Sequence, residues 1–302
     1  MVDFTARGVI PPVFTPLNDD LTINYGVVPS YAKYLADAGI KSVLVGGTTG
    51  ENMSFSLAGR KSLVDEWVKA GKANGLHVMV QVGGAPFADV VDLAQYCEKA
   101  GANSLLTLPE LYFRPQSVPE LVFYVEQVAK AAPSLPVLYY NYPKMSNVQL
   151  NMPKFVTAAT ERILNFKGLK YSSNDLIEAA EILRILKEDQ EIFLGAASLL
   201  APAALLGLKS SIATIVNLFP RQAMDIFNAM GNNDLPKVRE LQEQLSLAIE
   251  AHSSEGSWVP TMKAGMEIVT DIKVGPPALP QRPLSNEAKE RIASKLKKLG
   301  LA

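Results

Sequence analysis

Apolar residues along the chain follow two periods in turn. Short runs rich in β-branched and aromatic residues alternate with longer stretches in which apolar residues recur at three- and four-residue spacing. The first pattern is typical of strands and the second of amphipathic helices. The short runs predict strands at residues 8–14, 42–46, 77–82, 104–108, 136–142, 166–172, 191–196 and 210–216. The helical patterns between them include residues 25–38, 57–74, 86–100, 118–132 and 176–187.

This alternation predicts how the strands pair. Strands separated by helices pair in parallel through right-handed crossovers, and eight such units close into a (β/α)8 TIM barrel. An open doubly wound sheet is the alternative, but the turn at residues 15–20 lacks the glycine pattern of a dinucleotide-binding loop. After residue 216 only helical patterns follow, at 217–247 and 285–299. We therefore predict a barrel over residues 1–217 and a C-terminal helical extension over 218–302, packed on the barrel.

Composition and charge narrow the class of protein. Of 302 residues 48% are hydrophobic, which is enough for a large core, and the net charge of -1 comes without a basic stripe, so a nucleic acid partner is not expected. The longest apolar run, 199–208, is about half of the ~20 residues that span a bilayer. The N-terminus lacks the apolar core of a signal peptide, and the single cysteine fits a reducing compartment. We expect a cytoplasmic protein that binds no membrane.

One lysine stands out in the sixth predicted strand, Phe166-Lys167-Gly168-Leu169-Lys170-Tyr171-Ser172. Strand alternation sends Lys170 to the same face as the small residues Gly168 and Ser172. Burial there would favour the neutral amine, which is the nucleophile that forms a Schiff base with a ketone. The alternative is a strand-end lysine whose amine reaches solvent along its aliphatic stem.

Two further stretches end predicted strands, and the carboxyl ends of barrel strands are where catalytic groups gather. Gly46-Gly47-Thr48-Thr49-Gly50-Glu51 offers free backbone N–H groups and two hydroxyls, which suit a carboxylate. Tyr139-Tyr140-Asn141-Tyr142-Pro143 offers a phenol for proton transfer. Taken alone, the first stretch is equally typical of an ordinary turn and the second of aromatic packing.

Together these motifs resemble the N-acetylneuraminate lyase and dihydrodipicolinate synthase superfamily of pyruvate-dependent class I aldolases. The resemblance covers nearly the whole chain and is carried by residues 46–51, 140–143 and 168–172. Residues 275–280, Gly-Pro-Pro-Ala-Leu-Pro, are particularly similar to the animal N-acetylneuraminate lyases of this family.

The resemblance implies a role for each candidate residue. Lys170 would form an imine with a keto acid, so neither a cofactor nor a metal is expected. Tyr140 would relay the proton of the substrate hydroxyl, and Tyr112 would reach a neighbouring subunit, which implies a homo-oligomer, usually a tetramer. The substrate carboxylate would lie on Thr48, Thr49 and Gly50, and the substrate tail near Ser172, Gly195, Ser198 and Thr214.

The expected activity is retro-aldol cleavage of a sialic-acid-like 2-keto-3-deoxy sugar acid to pyruvate and an aldehyde. Sialic acid lyases carry an Asp-Glu pair that binds the sugar tail, whereas this chain has Ala197-Ser198. A 2-keto-3-deoxy-gluconate-type aldolase is therefore the alternative enzyme. Dihydrodipicolinate synthesis is disfavoured, because Met145 stands where the dihydrodipicolinate synthases carry an arginine. A barrel that binds a keto acid without turning it over is the non-catalytic alternative.

Overall fold

The computed structural model describes residues 2–302 and contains all eight predicted strands in one parallel sheet. The sheet runs in the order β1-β8-β7-β6-β5-β4-β3-β2, and a parallel bridge between Pro12 and Leu44 joins the first strand to the second. The predicted (β/α)8 barrel is confirmed. The strands are β1 Val9–Ile10, β2 Ser42–Val45, β3 His77–Gln81, β4 Ser104–Thr107, β5 Val137–Asn141, β6 Phe166–Tyr171, β7 Glu191–Leu194 and β8 Ser210–Ile212.

Helices alternate with the strands and continue beyond them. Ser56, Ser117 and Ser285 each begin a helix by accepting a hydrogen bond from a backbone N–H of the first turn. The helices are α1 Val28–Asp37, α2 Leu57–Asn74, α3 Phe87–Ala100, α4 Val118–Ala131, α5 Pro143–Ser146, α6 Met152–Arg162, α7 Leu176–Ile185, α8 Leu200–Leu205, α9 Pro220–Gly231, α10 Leu235–Ser253, α11 Trp258–Val269 and α12 Asn286–Lys298. None of the helices in residues 2–302 is long and apolar enough to cross a membrane.

Two apolar layers follow from the period-two alternation of the strands. One layer lies between the sheet and the surrounding helices and contains most of the buried residues. The other fills the barrel itself. Phe4 of the N-terminal segment belongs to this layer and packs edge-on against the rings of Phe193 and His77. The interior layer includes Ile10, Leu44, Met79, Leu106, Leu138, Tyr140, Phe193 and Ile212.

The C-terminal helices differ from the sequence prediction. The helix expected over 217–247 is two helices, α9 and α10, because Asn233 takes a left-handed conformation and Asp234 caps a new helix. Helix α9 packs against α8 and β1 and thus lies in the outer ring of the barrel. The sequence prediction places no helix at α11; Pro260 lies in the first turn of this helix, where proline is tolerated.

Several strands are shorter than predicted at their carboxyl ends. The eighth strand ends at Ile212, and Thr214–Asn217 form a single 3-10 turn instead of extending it. Because helix α11 packs on this turn, the C-terminal helices lie close to the mouth of the barrel. This contact is what brings them to the candidate site.

Candidate active site

The carboxyl ends of the strands surround a cavity of about 730 Å³. It is lined by the ends of β5, β6 and β8, by the segments that follow β2, β5, β6, β7 and β8, including the start of α5, and by one residue each from α10 and α11. Eight of the nine residues predicted for substrate binding and catalysis contribute to its wall or its rim. The residues that line it include Thr48, Thr49, Tyr140, Lys170, Ser172, Gly195, Ser198 and Thr214.

Lys170 lies inside the barrel at the end of β6, with 4% of its surface exposed. Its neighbours in register are Tyr140 of β5 and Phe193 of β7. Its Nζ donates a hydrogen bond of 3.0 Å to Tyr140 Oη and lies 4.1 Å from the centre of that ring. The strand-end alternative, with an amine in solvent, is therefore wrong for this lysine.

The strand that carries Lys170 depends on a glycine two residues earlier. Gly168 has a φ of +114°, and a Cβ there would lie 2.0 Å from the carbonyl oxygen of Glu191 on the neighbouring strand. Only glycine fits so close an approach in this conformation. The small residue that the sequence places beside Lys170 thus sets how β6 pairs with β7.

Tyr140 connects the lysine to the turn after β2. Its hydroxyl lies 3.2 Å from Thr48 Oγ1, and its ring stacks on Tyr142 with centroids 5.8 Å apart. A hydrogen-bonded chain therefore runs from Thr48 through Tyr140 to Lys170. Such a chain can move a proton between groups in a cavity.

Thr48 and Thr49 of the turn after β2 line the same cavity, whereas Gly50, the ninth of the predicted residues, does not line it. Thr49 Oγ1 lies 2.8 Å from Thr214 Oγ1, and the Gly50 carbonyl accepts a 2.7 Å hydrogen bond from Thr15 Oγ1. Within residues 2–302, no acceptor is found for the N–H groups of Thr49 and Gly50. A Cβ on Gly50 would lie 3.1 Å from the Val13 carbonyl oxygen, so the turn is tightly packed. Unpartnered N–H groups beside hydroxyls suit a carboxylate.

The far end of the cavity is built from less polar residues. Ala197 is buried and Ser198 is exposed where the sequence lacks the Asp-Glu pair. Ile249 of α10 and Trp258 of α11 complete this wall. Of the residues that the structure describes, no aspartate or glutamate lines the cavity. Sequence reasoning missed Ile249 and Trp258, because only the packing of the C-terminal helices brings them to the barrel mouth.

Tyr112 is the candidate that lies elsewhere. It is 83% exposed in the loop between β4 and α4, and its ring packs edge-on against that of Phe113, which is 82% exposed. Within one chain it does not line the cavity. Its role at a neighbouring subunit stays a prediction.

The single cysteine and the two histidines of the chain lie away from the cavity. Cys97 is buried in α3, and burial raises the pKa of its thiol to about 12. His77 Nε2 lies 2.7 Å from Ser104 Oγ, and His252 Nδ1 lies 2.7 Å from the Ala248 carbonyl oxygen. Residues 2–302 contain no cluster of three or more histidine, cysteine or acidic side chains suited to a metal ion.

Comparison with known proteins identifies the family to which the chain belongs. The model of the dihydrodipicolinate synthetase family matches residues 5–299. The chain belongs to the dihydrodipicolinate synthetase family. This membership confirms the resemblance that the three motifs carry.

Several of the relatives that this chain resembles are N-acetylneuraminate lyases. That of Gallus gallus is 30% identical over 299 residues, which cover 97% of this chain and 96% of the relative. Among solved structures, the N-acetylneuraminate lyase (sialic acid aldolase) of Aliivibrio salmonicida is 30% identical, with a TM-score of 0.93 over 100% of this chain and 99% of the other. That of Proteus mirabilis is 29% identical, with a TM-score of 0.92 over 98% and 99%.

Proposed function

We propose that the protein is an N-acetylneuraminate lyase, a class I aldolase that cleaves the sialic acid to pyruvate and N-acetylmannosamine. The observation that carries this proposal is the buried Lys170 amine, 3.0 Å from the Tyr140 hydroxyl, in a cavity that Thr48 and Thr49 also line. The family and the similar lyases support it. The enzyme class is therefore a lyase acting on a 2-keto acid.

The covalent steps begin at Lys170. The neutral amine adds to the C2 carbonyl of the open-chain substrate, the hydroxyl of the resulting carbinolamine takes up a proton from solvent through Tyr140, and loss of water leaves a protonated imine. The substrate carboxylate is bound by the Thr49 and Gly50 N–H groups and the Thr48 hydroxyl. The imine is the electron sink of the reaction, and Lys170 supplies it without a cofactor or a metal.

Bond cleavage then follows from proton transfer at Tyr140. The Tyr140 phenol accepts the proton of the C4 hydroxyl as it gives its own proton to the substrate carboxylate. The C3–C4 bond then breaks, and the electron pair of that bond neutralises the protonated imine to an enamine. The aldehyde leaves. C3 of the enamine takes a proton back along the same path, and water hydrolyses the imine to pyruvate and free Lys170.

The tail of the substrate would lie towards Ser172, Gly195, Ser198 and Thr214. The hydroxyls of Ser172, Ser198 and Thr214 and nearby backbone groups would bind the sugar hydroxyls in place of the two missing carboxylates. Each lost hydrogen bond to a charged group costs about 1.5–3 kcal/mol, or roughly ten- to a hundredfold in affinity. The cavity wall without acids therefore favours a second candidate, a 2-keto-3-deoxy-gluconate-type aldolase.

Assembly and location are part of the same proposal. A homo-oligomer, usually a tetramer in this superfamily, would bury the exposed aromatic pair at 112 and 113 and bring Tyr112 towards the cavity of a neighbouring subunit. A location in the cytoplasm is consistent with the single, buried cysteine.

Pyruvate release from two substrates tests the choice between the enzymes. N-acetylneuraminate and 2-keto-3-deoxygluconate are each incubated with the protein, and pyruvate is followed by coupled oxidation of NADH. We expect the higher kcat/KM with N-acetylneuraminate. Release of pyruvate from 2-keto-3-deoxygluconate alone would replace the proposal by the second candidate.

A further inference from the structure

Glu51 directly follows the carboxylate turn and faces away from the cavity. It has a φ of 53°, in the left-handed region that side chains other than glycine rarely adopt, and 1% of its side chain is exposed. A residue in this conformation persists only where its surroundings hold it there. The contacts of its carboxylate therefore bear on the shape of the turn.

The carboxylate meets a lysine of the C-terminal helices. Lys263 of α11 is also 1% exposed, and its Nζ lies 2.7 Å from Glu51 Oε2. The same Nζ donates to the carbonyl oxygens of Thr15, at 2.9 Å, and Pro276, at 2.8 Å. Burial lowers the pKa of Lys263 below its usual value, and the Glu51 carboxylate offsets part of this change. Since Thr15 Oγ1 also donates to the Gly50 carbonyl, residues 50 and 51 are both tied to this lysine.

The segment at residues 275–281 supplies the other contacts of Glu51. Its Oε1 accepts hydrogen bonds from the Ala278 N–H, at 2.7 Å, and from Gln281 Nε2, at 2.8 Å. Gly275 has a φ of +69°, and a Cβ there would lie 2.0 Å from the Leu17 carbonyl oxygen. The segment thus packs directly on the loop after β1 and surrounds the ion pair.

We propose that Glu51 and Lys263 are positioning residues that hold the Thr49 and Gly50 N–H groups at the angle a substrate carboxylate needs. The inference rests on the proposed function, because it assigns that turn to the carboxylate. It gives the C-terminal helices and the 275–281 segment a part in substrate binding through the ion pair. Neither side chain lines the cavity, so both act through the backbone of the turn.

The competing explanation is that the ion pair only stabilises the fold. Variants that remove one charge or both charges distinguish this explanation from a positioning role. Removing one partner leaves the other charge buried and unpaired, which destabilises the fold by itself. The double variant Glu51→Gln with Lys263→Met removes both charges and so restores stability, but it does not restore the link to the turn. Glu51→Gln alone keeps an acceptor for the Ala278 N–H and for Gln281 Nε2 but leaves Lys263 without its counter-ion, so its thermal midpoint is measured beside its pyruvate binding.

The chain offers a matched control in Lys167. This lysine is 2% exposed, pairs with Asp189, and lies on the same strand as Lys170 but at the opposite end of the barrel. Asp189 is 45% exposed, so Lys167→Met removes a buried, paired lysine and leaves its partner in contact with solvent, without touching the turn.

The main measurement is the fraction of protein trapped by borohydride as a function of pyruvate concentration. The midpoint of thermal unfolding and the KM and kcat for N-acetylneuraminate are measured for the same variants. We expect Glu51→Gln, Lys263→Met and the double variant to raise the half-saturating pyruvate concentration and KM by about tenfold, with kcat within about threefold of wild type. The double variant should recover thermal stability relative to Lys263→Met. Lys167→Met should lower the midpoint and leave half-saturation within about twofold.

Two results would overturn the inference. One is a folded double variant or Glu51→Gln variant that binds pyruvate as wild type does, and the other is an equal rise in half-saturation for Lys167→Met. Failure of the proposed function looks different, because the wild-type protein would then form no adduct at any pyruvate concentration.

Discussion

Tyr139 and Tyr140 are adjacent residues of β5 whose hydroxyl groups have different surroundings. Its hydroxyl contacts Lys170 Nζ and Thr48 Oγ1, whereas the hydroxyl of the adjacent Tyr139 points into the layer between sheet and helices and has no hydrogen-bond partner in residues 2–302. The two phenols differ in position by a single residue. Only the first can take part in proton transfer.

Tyr140→Phe should therefore lower kcat more than it raises the half-saturating pyruvate concentration. General acid-base groups contribute about 10²–10⁴-fold to rate, so we expect a loss of kcat in this range. Tyr139→Phe is the control and should keep both parameters near wild type. Steady-state kinetics with N-acetylneuraminate and borohydride trapping with pyruvate supply the two measurements, and equal losses in both variants would contradict the role of Tyr140.

His77 should make stability depend on pH. Burial lowers the pKa of its imidazole from 6.5 to about 4, so between these values the unfolded chain binds a proton that the folded protein does not. Stability therefore falls as pH drops through this window. Burial also lowers the pKa of His252, which acts in the same direction.

The free energy of unfolding in urea, measured at pH 7 and pH 5, tests this effect. His77→Gln keeps a polar partner for Ser104 and removes the titration. We expect wild type to lose about 2 kcal/mol more than the variant between the two pH values. An identical pH dependence in both proteins would show that His77 is not the group responsible.

At the scale of elements, the N-terminal segment belongs to the barrel core. Phe4 is 3% exposed and lies with Phe193 and Ile10 in the interior layer. The segment thus closes the end of the barrel opposite the cavity.

Phe4→Ala should lower the free energy of unfolding by about 3–5 kcal/mol, the usual cost of removing a buried aromatic ring. Phe123, on α4, is 56% exposed, and Phe123→Ala should cost about 1 kcal/mol or less. Urea unfolding of both variants measures the difference. Equal costs would contradict the assignment of Phe4 to the core.

Sequence periodicity predicts some elements better than others for a physical reason. The strands and most helices carry a local signal, and Lys170, Tyr140 and the turn at 48–50 lie at strand ends, where barrel topology brings them together. Helix α11 was missed, and with it Trp258 and Lys263. Their positions depend on packing between segments far apart in the chain, which no local pattern records.

For the whole molecule, the exposed aromatic pair points to assembly. Tyr112 and Phe113 are more than four-fifths exposed in the single chain, and large apolar side chains exposed together often mark an interface. We expect the protein to sediment as a homo-oligomer, with a tetramer as the expected size.

Tyr112→Glu combined with Phe113→Glu should yield a smaller species in sedimentation velocity, because two charges would be buried at the interface. Phe123→Glu, elsewhere on the surface, is the control and should leave the oligomer intact. A double variant that sediments as wild type would place the interface elsewhere.

Covalent trapping on Lys170 tests the central claim most directly. The protein is incubated with pyruvate and borohydride, and the mass of the intact chain and of its peptides is measured. We expect one reduced pyruvate adduct, on the peptide with Lys170, in wild type and in Lys144→Ala, which changes the other lysine of the cavity wall. Lys170→Ala should fold and form no adduct. An unchanged adduct in Lys170→Ala, or none in wild type, would contradict the imine mechanism.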